Sequence, residues 1–197
     1  MNQIQFMRDG VAQSETPEQN ENNWLAVLQL KAGPLVRFRH VRPDDQPLLT
    51  EAIRTASRET LLHRFFSPIR SVSPDLLRQM LSIDRTKETC IVGVAEENGA
   101  MRMVCGARYV KLPKAEAAEF AVTVHDDFQR RGLGKFLLKL LARLARAEGI
   151  RQFEADVMNS NQKMLNLFRQ ATNSRVGWRR TDDIHHVVLD LETLTRE

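Results

Sequence analysis

Between residues 88 and 148 the hydrophobic period changes once, and that change limits the folds open to the chain. Residues 88–97, 101–110 and 117–124 are successive runs rich in Val, Ile, Cys, Tyr and Phe, the residue types that favour strands. Asn98-Gly99 separates the first two and is a strong signal for a two-residue hairpin. Residues 132–148 then place apolar side chains at 133, 136, 137, 140, 141, 144 and 147, with Lys135, Lys139, Arg143 and Arg146 opposite. That spacing predicts an amphipathic helix, which must bury its apolar stripe against the sheet the strands make.

The flanking segments extend this pattern. Residues 35–42 alternate, with Val36, Phe38 and His40 on one face and Arg37 and Arg39 on the other, which predicts a strand. Pro43-Asp44-Asp45 is a helix start, continued by Leu48, Leu49, Ala52 and Ile53 at helical spacing. Further helices are predicted over 58–66, from Ser73 to about 82, and over 160–170, with a strand over 153–157 and a closing strand pair, 176–180 with 185–191. The expected architecture is α/β (α+β), a mixed sheet with helices on both faces, formed by residues 24–197 as a single domain. Residues 1–23 are polar and aperiodic, and are expected to form a flexible leader.

With 197 residues, 42% hydrophobic and 27% charged, the composition is that of one ordinary globular domain. No run approaches the ~18 apolar residues of a membrane span, and the first residues lack a secretory signal. A cytoplasmic protein with no membrane partner is expected. Taking Glu97 opposite Ala100 places Cys90 against Ala107 and Cys105 against Val92, out of register for a disulfide. Both cysteines then read as buried filler. Residues 129–151 hold seven bases against one acid, a local excess that suits a phosphate-bearing ligand. The same segment lacks the aromatic platforms or reading helix that nucleic acid would need, so nucleic acid is not the expected partner.

The chemistry concentrates in Val122-Thr123-Val124-His125-Asp126-Asp127-Phe128-Gln129-Arg130-Arg131-Gly132-Leu133-Gly134-Lys135. A strand leading through a Gly-containing loop into a basic helix presents unpaired N–H groups and a positive dipole end, the elements of a phosphate site. A P-loop would need glycine at Gln129 and Ser or Thr at Phe136, and the dinucleotide fingerprint would need glycine at Leu137; both patterns fail. What remains, Gln-x-x-Gly-x-Gly over Gln129–Gly134, resembles the loop by which the GNAT superfamily of acetyl-CoA-dependent N-acetyltransferases grips the CoA diphosphate. Asn161-Gln162-Lys163-Met164-Leu165-Asn166-Leu167-Phe168 resembles the family's later helix, packed near the pantetheine. More narrowly, Phe38-Arg39-His40-Val41-Arg42-Pro43-Asp44-Asp45, Arg64-Phe65-Phe66-Ser67-Pro68 and Ala118-Glu119-Phe120-Ala121-Val122 are similar to the catalytic domain of bacterial Pat-type protein lysine acetyltransferases.

The resemblance implies the GNAT fold, with a mixed, mostly antiparallel central sheet of about seven strands. It implies acetyl-CoA as cosubstrate and no metal. Val122, Thr123, Val124, Gln129, Arg130, Arg131, Gly132, Leu133, Gly134, Lys135 and Asn161 become the expected CoA-binding residues. Acceptors are a protein with an exposed lysine, with acyl-CoA ligases plausible by analogy, or a small amine. A free lysine amine has a pKa of about 10.4, so near pH 7 only roughly one in two thousand is neutral, and a base beside it helps. Glu119 is the candidate. It opens the strand that ends at the loop, about 17 Å from Val124, and shares a face with the small Ala121 and Thr123. Partial burial there is expected to desolvate the carboxylate. A backbone N–H near Val122 is the expected donor to the developing oxyanion. Many family members place a Tyr where this chain has Phe168, so the resemblance supplies no general acid and leaves a non-catalytic acyl-CoA-binding regulatory module as the alternative to an enzyme. A thiol with a pKa near 8.5 can leave as thiolate without one.

Overall fold

In the computed structural model, which describes residues 4–6, 23–31, 33–69, 72–113, 116–171, 176–181 and 183–195, strands and helices follow one another as the sequence predicts from residue 35 to residue 190. The chain runs β1 (Ile4–Phe6), β2 (Ala26–Gln29), β3 (Leu35–His40), α1 (Gln46–Thr55), α2 (Arg58–Phe65), α3 (Pro74–Leu81), β4 (Glu88–Glu97), β5 (Ala100–Lys111), β6 (Ala117–Val124), α4 (Leu133–Ala147), β7 (Gln152–Met158), α5 (Gln162–Ala171), β8 (Val176–Thr181), β9 (Ile184–Asp190) and α6 (Leu191–Thr195). Pro43–Asp45 and Asp126–Phe128 form short 3-10 turns.

The strands make one sheet in the order β1-β2-β3-β4-β5-β6-β7-β9-β8. Only the β6–β7 junction is parallel, and α4 supplies the crossover it needs. This is the expected mixed, mostly antiparallel GNAT sheet, and among the described residues two short strands bring the expected seven to nine. The two additional strands, β1 and β2, extend the edge beside β3, and runs of three and four residues are too short to carry readable alternation. Apart from Ile4–Phe6 and Asn23, the expected leader lies outside the described residues.

Asn98 (φ 53°) and Gly99 (φ 76°) make the β4–β5 turn, and Glu97 stands opposite Ala100 as predicted. The register then slips at Gly93/Val94, with one more residue on β5 than on β4. In consequence Cys105 faces Gly93 and Cys90 faces Arg108, correcting the pairing read from the sequence. A Cβ on Gly93 would collide with Cys105 Sγ, so the glycine makes room for the displaced thiol. Both cysteines are free, Cys105 buried and Cys90 only half-buried. A bulge is a local irregularity that alternation does not reveal.

Each face of the sheet has its own core. On one face, Val92, Val94 and Met103 meet Leu49 and Ile53 of α1 and Leu77 and Leu81 of α3. On the other, α4 packs Phe136 against Phe38 with ring centroids 4.7 Å apart, while Phe120 stacks on Phe153 at 4.9 Å. The buried surface of α4 is wider than predicted: Leu138, Ala142 and Ala145 are inside, whereas Ala147 is exposed. The extra coverage accompanies α6, which the sequence reading did not distinguish from the preceding strand; its Leu191 and Leu194 are buried in the same core as α4.

Arg39, predicted to lie on the polar face of β3, is buried because the helices cover that face too. Its guanidinium forms two hydrogen bonds with Asp45, at 2.7 and 2.6 Å, and Arg42 N–H donates to the same carboxylate at 2.8 Å. Burial pushes the Asp45 carboxyl up, but the bonds from Arg39 and Arg42 outweigh it and hold it below the ordinary carboxylate range. Asp45→Ala would strand a buried cation, so it is expected to destabilise the fold by about 3–5 kcal/mol in denaturant titration at neutral pH.

Candidate active site

The site begins where two strands part. β6 and β7 pair only through Ala117↔Gln152, Ala118↔Phe153 and Glu119↔Glu154, while β6 stays paired with β5 as far as Val124. His125 N–H donates to the Val104 carbonyl and the Ala117 carbonyl accepts from Leu112 N–H, both at 2.9 Å. Odd-numbered residues of β6 thus turn their peptide groups toward β5, and Phe120, Val122 and Val124 turn theirs into the gap. The Val124 carbonyl is taken there by Gln129 Nε2 at 3.1 Å. The Val122 N–H remains a donor aimed into an opening between strands.

At the end of β6, Arg130 (φ 59°) and Gly132 (φ 87°) adopt left-handed conformations that swing the chain into α4. Glycine takes such a conformation without the steric cost of a Cβ. No side chain caps α4, and its first bond runs from Phe136 N–H to the Gly132 carbonyl at 3.1 Å. Leu133, Gly134 and Lys135 consequently offer N–H groups with no intrahelical acceptor, at the positive end of the helix dipole. Gly134 lies close to α5, where an added Cβ would stand 3.2 Å from Leu167 Cδ2.

A cleft of about 710 Å³ joins these features. Its lining includes Glu119, Val122, Thr123, Val124, Gln129, Arg130, Gly132, Gly134, Lys135 and Asn161, so the structure brings most of the sequence-predicted residues to one surface. Two differ. Arg131 does not line the cleft: its guanidinium lies over the Phe128 ring at 5.3 Å. The Leu133 side chain is in the core, only 1% exposed, so its N–H alone is available. Asn161 lines the cleft, and its Oδ1 caps α5 by accepting from Met164 N–H at 3.2 Å, which leaves the amide Nδ2 as the side chain's donor. Glu119 is exposed, so the partial burial expected from its small neighbours is absent. Phe168 is buried against Phe120, with ring centroids 5.6 Å apart, and brings no hydroxyl to the cleft.

α2 and the loop are tied together by contacts that spacing did not reveal. Asp126 accepts from Ser57 N–H, Ser57 Oγ and Thr60 Oγ1, each at 2.8 Å, at the N-terminus of α2. Burial pushes the Asp126 carboxyl up, but these hydrogen bonds outweigh it and hold the group below the ordinary carboxylate range. Gln129 Nε2 donates to Thr60 Oγ1 at 3.3 Å, and Gln129 Oε1 accepts from Lys163 Nζ at 3.0 Å, linking loop, α2 and α5. His63 Nε2 lies 3.0 Å from Ser160 Oγ, a second tie from α2 to the segment before α5. The Gln129 side chain is therefore engaged within the protein. These partners are 34 to 97 residues apart in sequence, so no local motif could have shown them.

Comparison with known proteins defines the class. Residues 54–172 match the acetyltransferase (GNAT) family. Acetyltransferase PA5475 of Pseudomonas aeruginosa is 32% identical over 162 residues, covering 82% of this chain and 86% of that protein. Acetyltransferase Pat of Mycolicibacterium smegmatis is 33% identical over 138 residues, 70% of this chain but 40% of that longer protein. Among solved structures, the GNAT domain of S. lividans PAT superposes with a TM-score of 0.72 at 26% identity, covering 83% of this chain and 95% of that one. The chain belongs to the GNAT acetyltransferase family and is an acetyl-CoA-dependent acyltransferase.

The Asp126 brace makes the stability of the site depend on pH. Its carboxyl, lowered on folding, stabilises the protein above the unfolded value of about 3.9 and loses that contribution as pH falls through the folded value. Asp126→Asn is expected to cost about 1–3 kcal/mol at neutral pH in denaturant titration, the difference shrinking as the medium is acidified past that value.

Proposed function

We propose that the chain transfers an acetyl group from acetyl-CoA to the side-chain amine of a protein lysine, by direct attack of the amine on the thioester. The observation that carries this reading is the exposed Glu119 carboxylate at the last position of β6 paired with β7, in the same cleft as the N-terminus of α4. An acid within an enclosed pocket would suit a small amine; an exposed one can be reached by a side chain standing on another protein's surface. The similarity to acetyltransferase Pat of M. smegmatis supports the same choice.

The residues present fit CoA. The N–H groups of Leu133, Gly134 and Lys135, with the side chains of Arg130 and Lys135, would hold the diphosphate. Asn161 Nδ2 would hold the pantetheine amide. When bound, the thioester supplies an activated acetyl group. Glu119 takes the proton of the incoming ammonium, directly or through water, which otherwise costs about 4–5 kcal/mol near pH 7. The Val122 N–H points into the gap and donates to the negative charge that develops on the carbonyl oxygen. A covalent relay is disfavoured: burial pushes the half-buried Cys90 thiol up to about 11, and Cys105 is pushed further still. The thiolate of CoA leaves without a tyrosine, since Phe168 occupies that place.

Two free cysteines fit action in a reducing cytoplasm, and no helix among the described residues is long and apolar enough to cross a membrane. Incubation of the protein with acetyl-CoA and a cell extract, followed by mass spectrometry, is expected to show new acetyl-lysine on proteins. Acetylation of low-mass amines alone would instead assign a small-molecule acceptor. Glu119→Gln is expected to reduce transfer at pH 7 by about a hundredfold or more, with CoA affinity in calorimetry nearly unaltered. The remaining rate should climb with pH as the lysine deprotonates by itself; an unchanged rate at pH 7 removes Glu119 from the mechanism.

A further inference from the structure

Arg64 has no task in the mechanism above, yet it stands inside the site. It lies on α2 and lines both the large cleft and a second, mostly apolar cavity of about 110 Å³ that reaches Leu49, Met80 and Met103. The two cavities meet at Thr60, Arg64, Ala121 and Thr123, on the face of β6 that also carries Glu119. Arg64 is half-buried. Its guanidinium has a ring contact with Phe65 but no hydrogen-bond acceptor or ion-pair partner among the described residues. Neighbouring Arg108 differs, since Glu88 pairs with it, Nε to Oε2 at 2.6 Å. Burial pushes the Arg64 guanidinium down, the Arg108 charge adds to this, and Cys90 and Glu119 act in the opposite direction.

A guanidinium carries five donors and stays charged, so withdrawing it from water without an acceptor is costly. Glu119 likewise has no hydrogen-bond or ion-pair partner among the described residues, and the two groups do not close on each other. One cleft therefore holds a separated negative and positive group. Their complement is a molecule bearing an amine and, close by, an anion.

We infer that Arg64 recognises a carboxylate that the acceptor carries next to its reacting amine. This rests on the reading of the cleft as an amine acetyltransferase site. The planar fork of Arg64 matches a carboxylate in two-point contact, and the apolar cavity behind it excludes water that would weaken the pair. The phosphates of CoA have their own partners at the far end of β6. The carboxylate has two possible sources: an acidic residue flanking a target lysine in a protein, or the α-carboxylate of a free amino acid.

The test uses two pairs of acceptors. One is a synthetic peptide with aspartate beside its lysine against the same peptide with asparagine; the other is free lysine against lysine amide. Wild-type protein is expected to favour the carboxylate member of one pair by about tenfold to a hundredfold in kcat/KM, mainly through KM. Whichever pair shows the preference identifies the source. Arg64→Lys should keep part of the preference, Arg64→Met should bring the ratio toward one, and Arg64→Glu should turn it toward a peptide with arginine at the flanking position. A merely structural arginine would change rates without moving these ratios. A wild-type ratio near one for both pairs, or a ratio that survives Arg64→Met, overturns the inference. Absence of transfer to every acceptor contradicts the enzymatic reading instead; calorimetry of the same pairs on CoA-loaded protein then still reads the Arg64 preference, and equal affinities overturn it.

Discussion

The structure depends on the parting of β6 from β7 after three residue pairs. A continuous sheet would satisfy every peptide group of β6 with a neighbouring strand. Here the pairing stops at Glu119, and the N–H groups of even-numbered residues face an opening. The same strand remains fixed along its other edge by β5, so the opening is held rigid. One element thus supplies an exposed carboxylate at its start, a backbone donor in the middle and, through the loop at its end, the unpaired N-terminus of α4.

Rigid placement extends to the loop and to α2. Asp126 grips the first turn of α2, while Gln129 reaches both α2 and Lys163 of α5. The loop, α2 and α5 are cross-tied by hydrogen bonds, and those of Asp126 and Lys163 are charge-assisted, which are among the stronger polar contacts available. Side chains of the loop motif therefore divide into two groups. Gln129 and Leu133 shape the turn, whereas the glycines and backbone N–H groups are left to face a ligand.

Much of this was legible in the residues. The hairpin at Asn98-Gly99, the strand over 117–124 and the helix after the glycine loop announce themselves by period and turn chemistry, because local sterics govern them. What escaped reading is long-range or short. β1 and β2 are too brief for alternation, the β4–β5 slip depends on Cys105 fitting against Gly93, and Arg39 is buried by helices far along the chain. At the site, Glu119 and the loop could be located from the motif order. Its exposure could not, since neighbours from other elements decide it. Arg64 was visible only as part of a family-like run, and its lack of an ion-pair partner among the described residues is a property of the folded cleft.

The most direct measurement is an amide NMR titration of the protein with coenzyme A. If the unpaired N–H groups clasp the diphosphate, the largest shifts are expected at Leu133, Gly134 and Lys135, with Val122 following as the pantetheine enters the gap. Saturable binding that leaves those four amides unmoved would contradict the account.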